Sequence, residues 1–93
     1  MKKVEFLNTE YDVLKDENKV FDSEIVTSLF TDFFLPYDYV LGDYAYGKLR
    51  LKGFYDNTNK KATKINNYNN IDDYIKNYCA YKCKYFILKK VKM

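Results

Sequence analysis

Histidine and tryptophan are absent from the 93-residue chain, and arginine occurs once, at Arg50. Without histidine, the side chain that most often moves protons near neutral pH is missing. No Ser/His or Cys/His nucleophile arrangement can be assembled either. Glycine is scarce, and Gly42 and Gly47 match neither glycine-rich phosphate-binding motif. Asp38 and Asp43 make a carboxylate pair only if the chain between them folds back. These gaps point away from an enzyme, and no cofactor is expected.

The two cysteines, Cys79 and Cys83, are too few for a disulfide framework. Their C-x-x-x-C spacing offers two thiolates, whereas a closed zinc site takes about four ligands. Only two chains together would supply that set, so no metal is expected. Two readings stay open: free thiols packed between the second helix and the last strand, or a redox switch. Long apolar runs are also missing, since nothing approaches the roughly 20 residues of a membrane span. Glu5, Asn8 and Glu10 interrupt the first residues before a signal-peptide core can form. The expectation is a cytoplasmic protein without membrane contact.

What is present reads as one globular domain over residues 1–93, with 47% hydrophobic and 31% charged residues. Tyrosine is abundant, at 11 residues. Each ring combines large apolar area with a hydroxyl that wants a partner, so many should sit half-buried at core edges. Lysine, asparagine and isoleucine are frequent as well, a pattern that fits the codon bias of an AT-rich genome. Charge is unevenly spread. Residues 1–46 carry four lysines against ten carboxylates, a net of −6, while residues 47–93 carry eleven lysines and Arg50 against three aspartates, a net of +9. Such asymmetry suggests a polyanionic partner. The plainer alternative is that the halves interleave in the fold and their charges mingle.

Periodicity divides the chain into seven elements. Lys3 to Leu7 and Tyr11 to Lys15 read as a hairpin closed by Asn8-Thr9-Glu10. Asp22 to Phe34 reads as a helix whose Ile25, Val26, Leu29, Phe30, Phe33 and Phe34 form one core stripe. Asp22 is its cap, Phe21 and Val26 its hydrophobic staple, and Pro36 its stop. Tyr37 to Asp43 and Lys48 to Tyr55 are strands around the loop 44–47, with Gly42 and Gly53 marking bulges or close backbone approach. Residues 56–70 read as a long polar surface loop. Asn70 then caps a helix that presents Ile71, Tyr74, Ile75, Tyr78 and Cys79 on one face. Lys84 to Val91 is a final strand, apolar enough to lie inside the sheet. The expected fold is α+β, a single compact domain in the order β-β-α-β-β-α-β, with a mainly antiparallel sheet packed by two helices.

Two blocks carry a family resemblance. Residues 37–55 read Y-D-Y-V-L-G-D-Y-A-Y-G-K-L-R-L-K-G-F-Y, and residues 78–91 read Y-C-A-Y-K-C-K-Y-F-I-L-K-K-V. The first closely resembles the Y-D-Y-I-V-G-D-W-G-Y-x-x-L-R-L-[RK]-G-F-[FY] run of the YutD-like family of low-GC bacteria. The second is similar to that family's C-x-x-x-C followed by an apolar strand. The resemblance implies a small α+β fold and carries no established activity. Tyr44 stands at the usual tryptophan, Ala45 at the usual glycine, and Lys82 where a glycine often lies between the cysteines. Ala45 must therefore keep a negative φ or accept strain.

The residues most able to bind something are Tyr44, Tyr46, Lys48, Arg50, Lys52 and Phe54. Alternation puts Lys48, Arg50, Lys52 and Phe54 on one strand face, with Tyr44 and Tyr46 in the loop before it. Cations meeting phosphates beside rings that stack on bases are the chemistry of a single-stranded nucleic-acid platform. The first expectation is thus an accessory protein binding RNA or a ribonucleoprotein such as the ribosome. The alternative is a protein-interaction module docking through the aromatic loop 44–47 and Phe54. A solvated face of Lys and Arg is also what any exposed sheet presents.

Overall fold

The computed structural model describes residues 2–16, 19–45, 47–78 and 84–91. Five strands, β1 (Lys2–Phe6), β2 (Thr9–Lys15), β3 (Tyr39–Ala45), β4 (Lys48–Phe54) and β5 (Tyr85–Lys90), form one sheet in the order β1-β2-β5-β3-β4. Every adjacent pair is antiparallel. Helix α1 (Ser23–Leu29) lies between the first two strands and the next two, and α2 (Ile71–Tyr78) precedes β5. The fold is α+β in the expected order. As its apolar run implies, β5 is the central strand, with Phe86, Ile87 and Leu88 all buried. No helix among the described residues is long and apolar enough to cross a membrane.

Two cores cover the two sheet faces. On one, Val26 and Phe30 meet Phe6, Tyr11, Val40, Phe86 and Leu88. On the other, Ile71 packs with Tyr39, Leu41, Phe54 and Ile87, and Tyr68 and Tyr74 close its edge. Alternation along each strand feeds both layers, so β3 sends Val40 one way and Tyr39 and Leu41 the other.

Several boundaries differ from the sequence reading for local reasons. The first hairpin turns at Leu7-Asn8, with Phe6 opposite Thr9, and both turn residues are left-handed (φ 51° and 61°). That is a two-residue turn of the kind whose backbone twist matches paired strands. Helix α1 begins as expected, the Asp22 carboxylate accepting from the N–H groups of Glu24 and Ile25. It stops at Phe30, whose backbone is extended, and a 3-10 turn at Asp32–Phe34 follows. Thr31 and Asp32 are weak helix formers, which favours a break there. The six-residue stripe is consequently not all core. Val26 and Phe30 are buried, whereas Ile25 and Leu29 are each 42% exposed and Phe33 is 63% exposed. Neighbouring residues on a helix point about 100° apart, so a short helix aims only one of each adjacent pair at the sheet.

Residues 56–70 are ordered rather than loose. Their asparagines bond the backbone locally: Asn59 accepts from the Lys61 N–H, Asn66 from Thr63 and Asn67 from Asn69. The buried Asp38 carboxylate accepts from the Asp56 N–H and the Asn59 side chain, and Tyr68 stacks on Tyr39 at 3.7 Å. A 3-10 turn at Tyr68–Asn70 runs directly into α2, so the capping side chain is Asn67 and not Asn70. Both inner glycines mark close approach, as expected. A Cβ at Gly42 would sit 2.1 Å from the Phe86 ring, and one at Gly53 would sit 2.4 Å from Tyr37.

Candidate functional site

The geometry of the β3–β4 hairpin decides what the basic row can do. The connection between Ala45 and Lys48 is two residues long, and Gly47 supplies the positive φ (77°). Ala45 stays extended within β3 and escapes the strain that glycine's absence threatened. Counting outward from this turn sets Ala45 opposite Lys48, Tyr44 opposite Leu49 and Asp43 opposite Arg50.

Arg50 and Asp43 are therefore cross-strand neighbours, and the guanidinium bonds the carboxylate at 2.5 Å. Asp43 is 1% exposed and Arg50 about half exposed. A charge-assisted bond to a buried carboxylate is a structural duty for Arg50. Lys52 is half-buried, with its ammonium 5.7 Å from the Phe54 ring centre. Lys48 is exposed.

The rings depart from the expected platform. Phe54 is 0% exposed and packs edge-on against Tyr74 of α2, because the strand face it occupies runs under that helix. It is core and offers no surface to a partner. Tyr44 pairs with Leu49, which packs against the α1-side core, so its ring lies on the opposite face from Lys48, Arg50 and Lys52. Its hydroxyl donates to the Val20 carbonyl at 3.3 Å. Tyr46, Cys79 and Cys83 lie outside the described residues. The structure thus brings Lys48, Arg50 and Lys52 together and separates them from Tyr44 and from a solvent-facing Phe54.

A family model described as "Putative antitoxin YutD-like" matches residues 5–89. The chain belongs to the YutD-like family. "Putative antitoxin YutD" of Bacillus subtilis (strain 168) is 39% identical over 85 residues, spanning 91% of this chain and 93% of the relative. The solution NMR structure of protein yutD from B. subtilis is similar with a TM-score of 0.81 at 36% identity, covering 99% of this chain and 84% of that one.

Two features of this YutD-like domain went unnoticed in its sequence. The first is the apolar strip of Ile25, Leu29 and Phe33 on the outer side of α1 and the turn after it. Ile25 and Leu29 are four apart and share a helix side. Asp22, Glu24 and Asp32, all exposed, neighbour these residues along the chain, and Lys19 and Lys84 line one groove with Ile25, so the surroundings carry both signs of charge. The second is a cleft of about 460 Å³ between β4, α2 and the ordered 56–70 segment, with Lys52 and Lys64 on its walls beside Asp73, Tyr74 and the exposed Ile65. The strip shows in sequence only as a stripe too wide for one helix to bury. The cleft has no local signature, because its walls come from distant segments.

Proposed function

We propose that this YutD-like protein is a non-catalytic protein-binding module that acts as an antitoxin by docking on a protein partner. The observation that carries the reading is the exposure of Ile25, Leu29 and Phe33 on α1 and the turn after it, among charged residues of both signs. Water-exposed apolar side chains grouped within a polar rim are the usual mark of a protein interface. The antitoxin designation of the family and of the B. subtilis relative supports the same class of activity.

RNA binding through the β4 row has less support. Arg50 serves Asp43, Phe54 is buried, and Tyr44 lies on the other face of the sheet. The aromatic-loop version of protein docking moves accordingly, from Phe54 to Phe33.

The test is co-purification from native cells after nuclease treatment. The wild-type chain should retain a stoichiometric protein whose expression alone arrests growth and whose arrest is lifted by co-expression. Phe33→Glu should lose that protein and the rescue, with an affinity loss of about 2 kcal/mol or more, the size of an interface anchor. An undiminished complex with Phe33→Glu, or a partner removed by nuclease, would sink the proposal.

A further inference from the structure

Strand β4 is an outer edge of the sheet, and part of its outward backbone is open beside its row of cations. At its end, the Tyr55 N–H donates to the Asn66 carbonyl (2.7 Å), and the Tyr55 carbonyl accepts from the Tyr68 N–H (2.8 Å). Both bonds lie on the side away from β3. In an antiparallel strand each residue turns its N–H and C=O the same way, and the next residue turns them the opposite way. Counting back from Tyr55, Gly53, Leu51 and Leu49 point outward, while Phe54, Lys52, Arg50 and Lys48 bond β3. The two-residue turn requires the same phase, with Ala45 and Lys48 as its closing bonded pair. Among the described residues, no hydrogen bond reaches the outward groups of Leu49 or Leu51.

The side chains flanking this edge differ by face. Leu49 and Leu51 are half-buried against the α1-side core, so each keeps apolar surface in water. Lys48 and Lys52 lie on the other face, and the cleft holding Lys52 and Lys64 adjoins it. The opposite edge, β1, has no such row: Lys3 and Glu5 share one face with opposite charges.

We propose that β4 accepts an extended segment of a protein partner as a sixth strand, one in which acidic and apolar residues alternate. Its backbone would bond Leu49 and Leu51, its apolar side chains would cover the two leucines, and its carboxylates would face Lys48 and Lys52, one reaching the cleft toward Lys64. Strand addition of this kind draws affinity from main-chain bonds and specificity from alternate side chains. A second copy is a poor occupant, because β4 against β4 sets like charges opposite each other. RNA cannot supply an alternating ladder of N–H and C=O groups. The inference rests on the protein-partner reading but not on the α1 strip.

The probe is an N-acetylated peptide of about ten residues alternating glutamate and valine, titrated into the ¹⁵N-labelled full chain. Amide exchange at Leu49 and Leu51 should slow by about tenfold or more at saturation. Lys48→Glu with Lys52→Glu should weaken binding by about tenfold or more. Leu51→Pro removes an outward N–H that β3 does not use, so it should abolish binding while the β3–β4 pairing persists. If that variant does not fold, the peptide N-methylated at alternate residues asks the same question from the other side and should not bind. Phe33→Glu should bind the peptide like wild type, which separates this site from the α1 strip. Unchanged exchange at Leu49 and Leu51 up to roughly 1 mM peptide, equal binding of a lysine–valine peptide, or protection of those amides by oligouridine instead of the peptide would each overturn the proposal.

Discussion

Tyr11 places its ring among Phe6, Phe30 and Val40 at 0% exposure, and its hydroxyl has no hydrogen-bond partner among the described residues. Burial pushes its pKa from the usual 10 up to about 12. The unfolded chain therefore releases this proton before the folded one does. Stability is whole below pH 10 and falls as pH rises from 10 to 12, by roughly 2–3 kcal/mol in all. Burial also raises Tyr39 and Tyr68, assisted by Asp56 at Tyr39 and by Asp72 at Tyr68, so these residues add to the same alkaline loss. Tyr11→Phe removes an unsatisfied polar group. It should leave stability at neutral pH equal or raise it by up to about 1 kcal/mol. Urea denaturation of both proteins at pH 7 and through the alkaline range should find the steepest part of the decline reduced in the variant. A variant less stable at pH 7 would mean that the hydroxyl has a role.

At the scale of elements, turns and helix ends were the hardest parts to read. The hydrophobic alternation of β4 and the apolar centre of β5 were legible because burial imposes them. The first hairpin was legible as a pair of strands, but the place of its turn was not, because Leu7 is a poor residue for a left-handed turn and Asn8-Thr9-Glu10 is the more turn-like triplet. That mismatch stores strain of about 1–2 kcal/mol at Leu7. Replacing the turn by Asn-Gly (Leu7→Asn with Asn8→Gly) should stabilise the protein by about 1 kcal/mol, a rise of roughly 4–8 °C in melting temperature. Calorimetry checks this, and a lower melting temperature would mean that Leu7, half exposed as it is, packs more usefully than its backbone suggests. The second hairpin holds the clearest lesson. Taking Tyr46-Gly47 as the whole turn, instead of a four-residue loop, would have put Asp43 across from Arg50 on sequence alone.

Across the whole molecule, the −6 and +9 halves do not form two poles. Antiparallel pairing crosses them, setting Asp43 opposite Arg50 and Asp12 opposite Lys89. The contrast that suggested a polyanion partner is therefore partly spent inside the sheet, which no one-dimensional charge count can foresee. The candidate residues Lys48 and Lys52 were legible as surface cations. The roles of Arg50 and Phe54 were not, since each depends on what another segment lays over it. Arg50→Gln should lower stability by about 1–3 kcal/mol by weakening the support of a buried carboxylate. Arg50→Lys should restore part of that loss. Chemical denaturation measures both, and an Arg50→Gln variant as stable as wild type would show that Asp43 is held sufficiently by its other surroundings.

The central position of β5 has a consequence for synthesis. Residues 85–90 follow the other four strands in the chain, yet among the described residues theirs is the strand that hydrogen-bonds the β1–β2 hairpin to the β3–β4 hairpin. Until they leave the ribosome, the nascent chain carries two half-sheets with bare inner edges, and only the side chains of α1 to bridge them. A ribosome stalled before that point would expose a substrate for proteases and chaperones, so synthesis of residues 85–90 gates closure of the sheet.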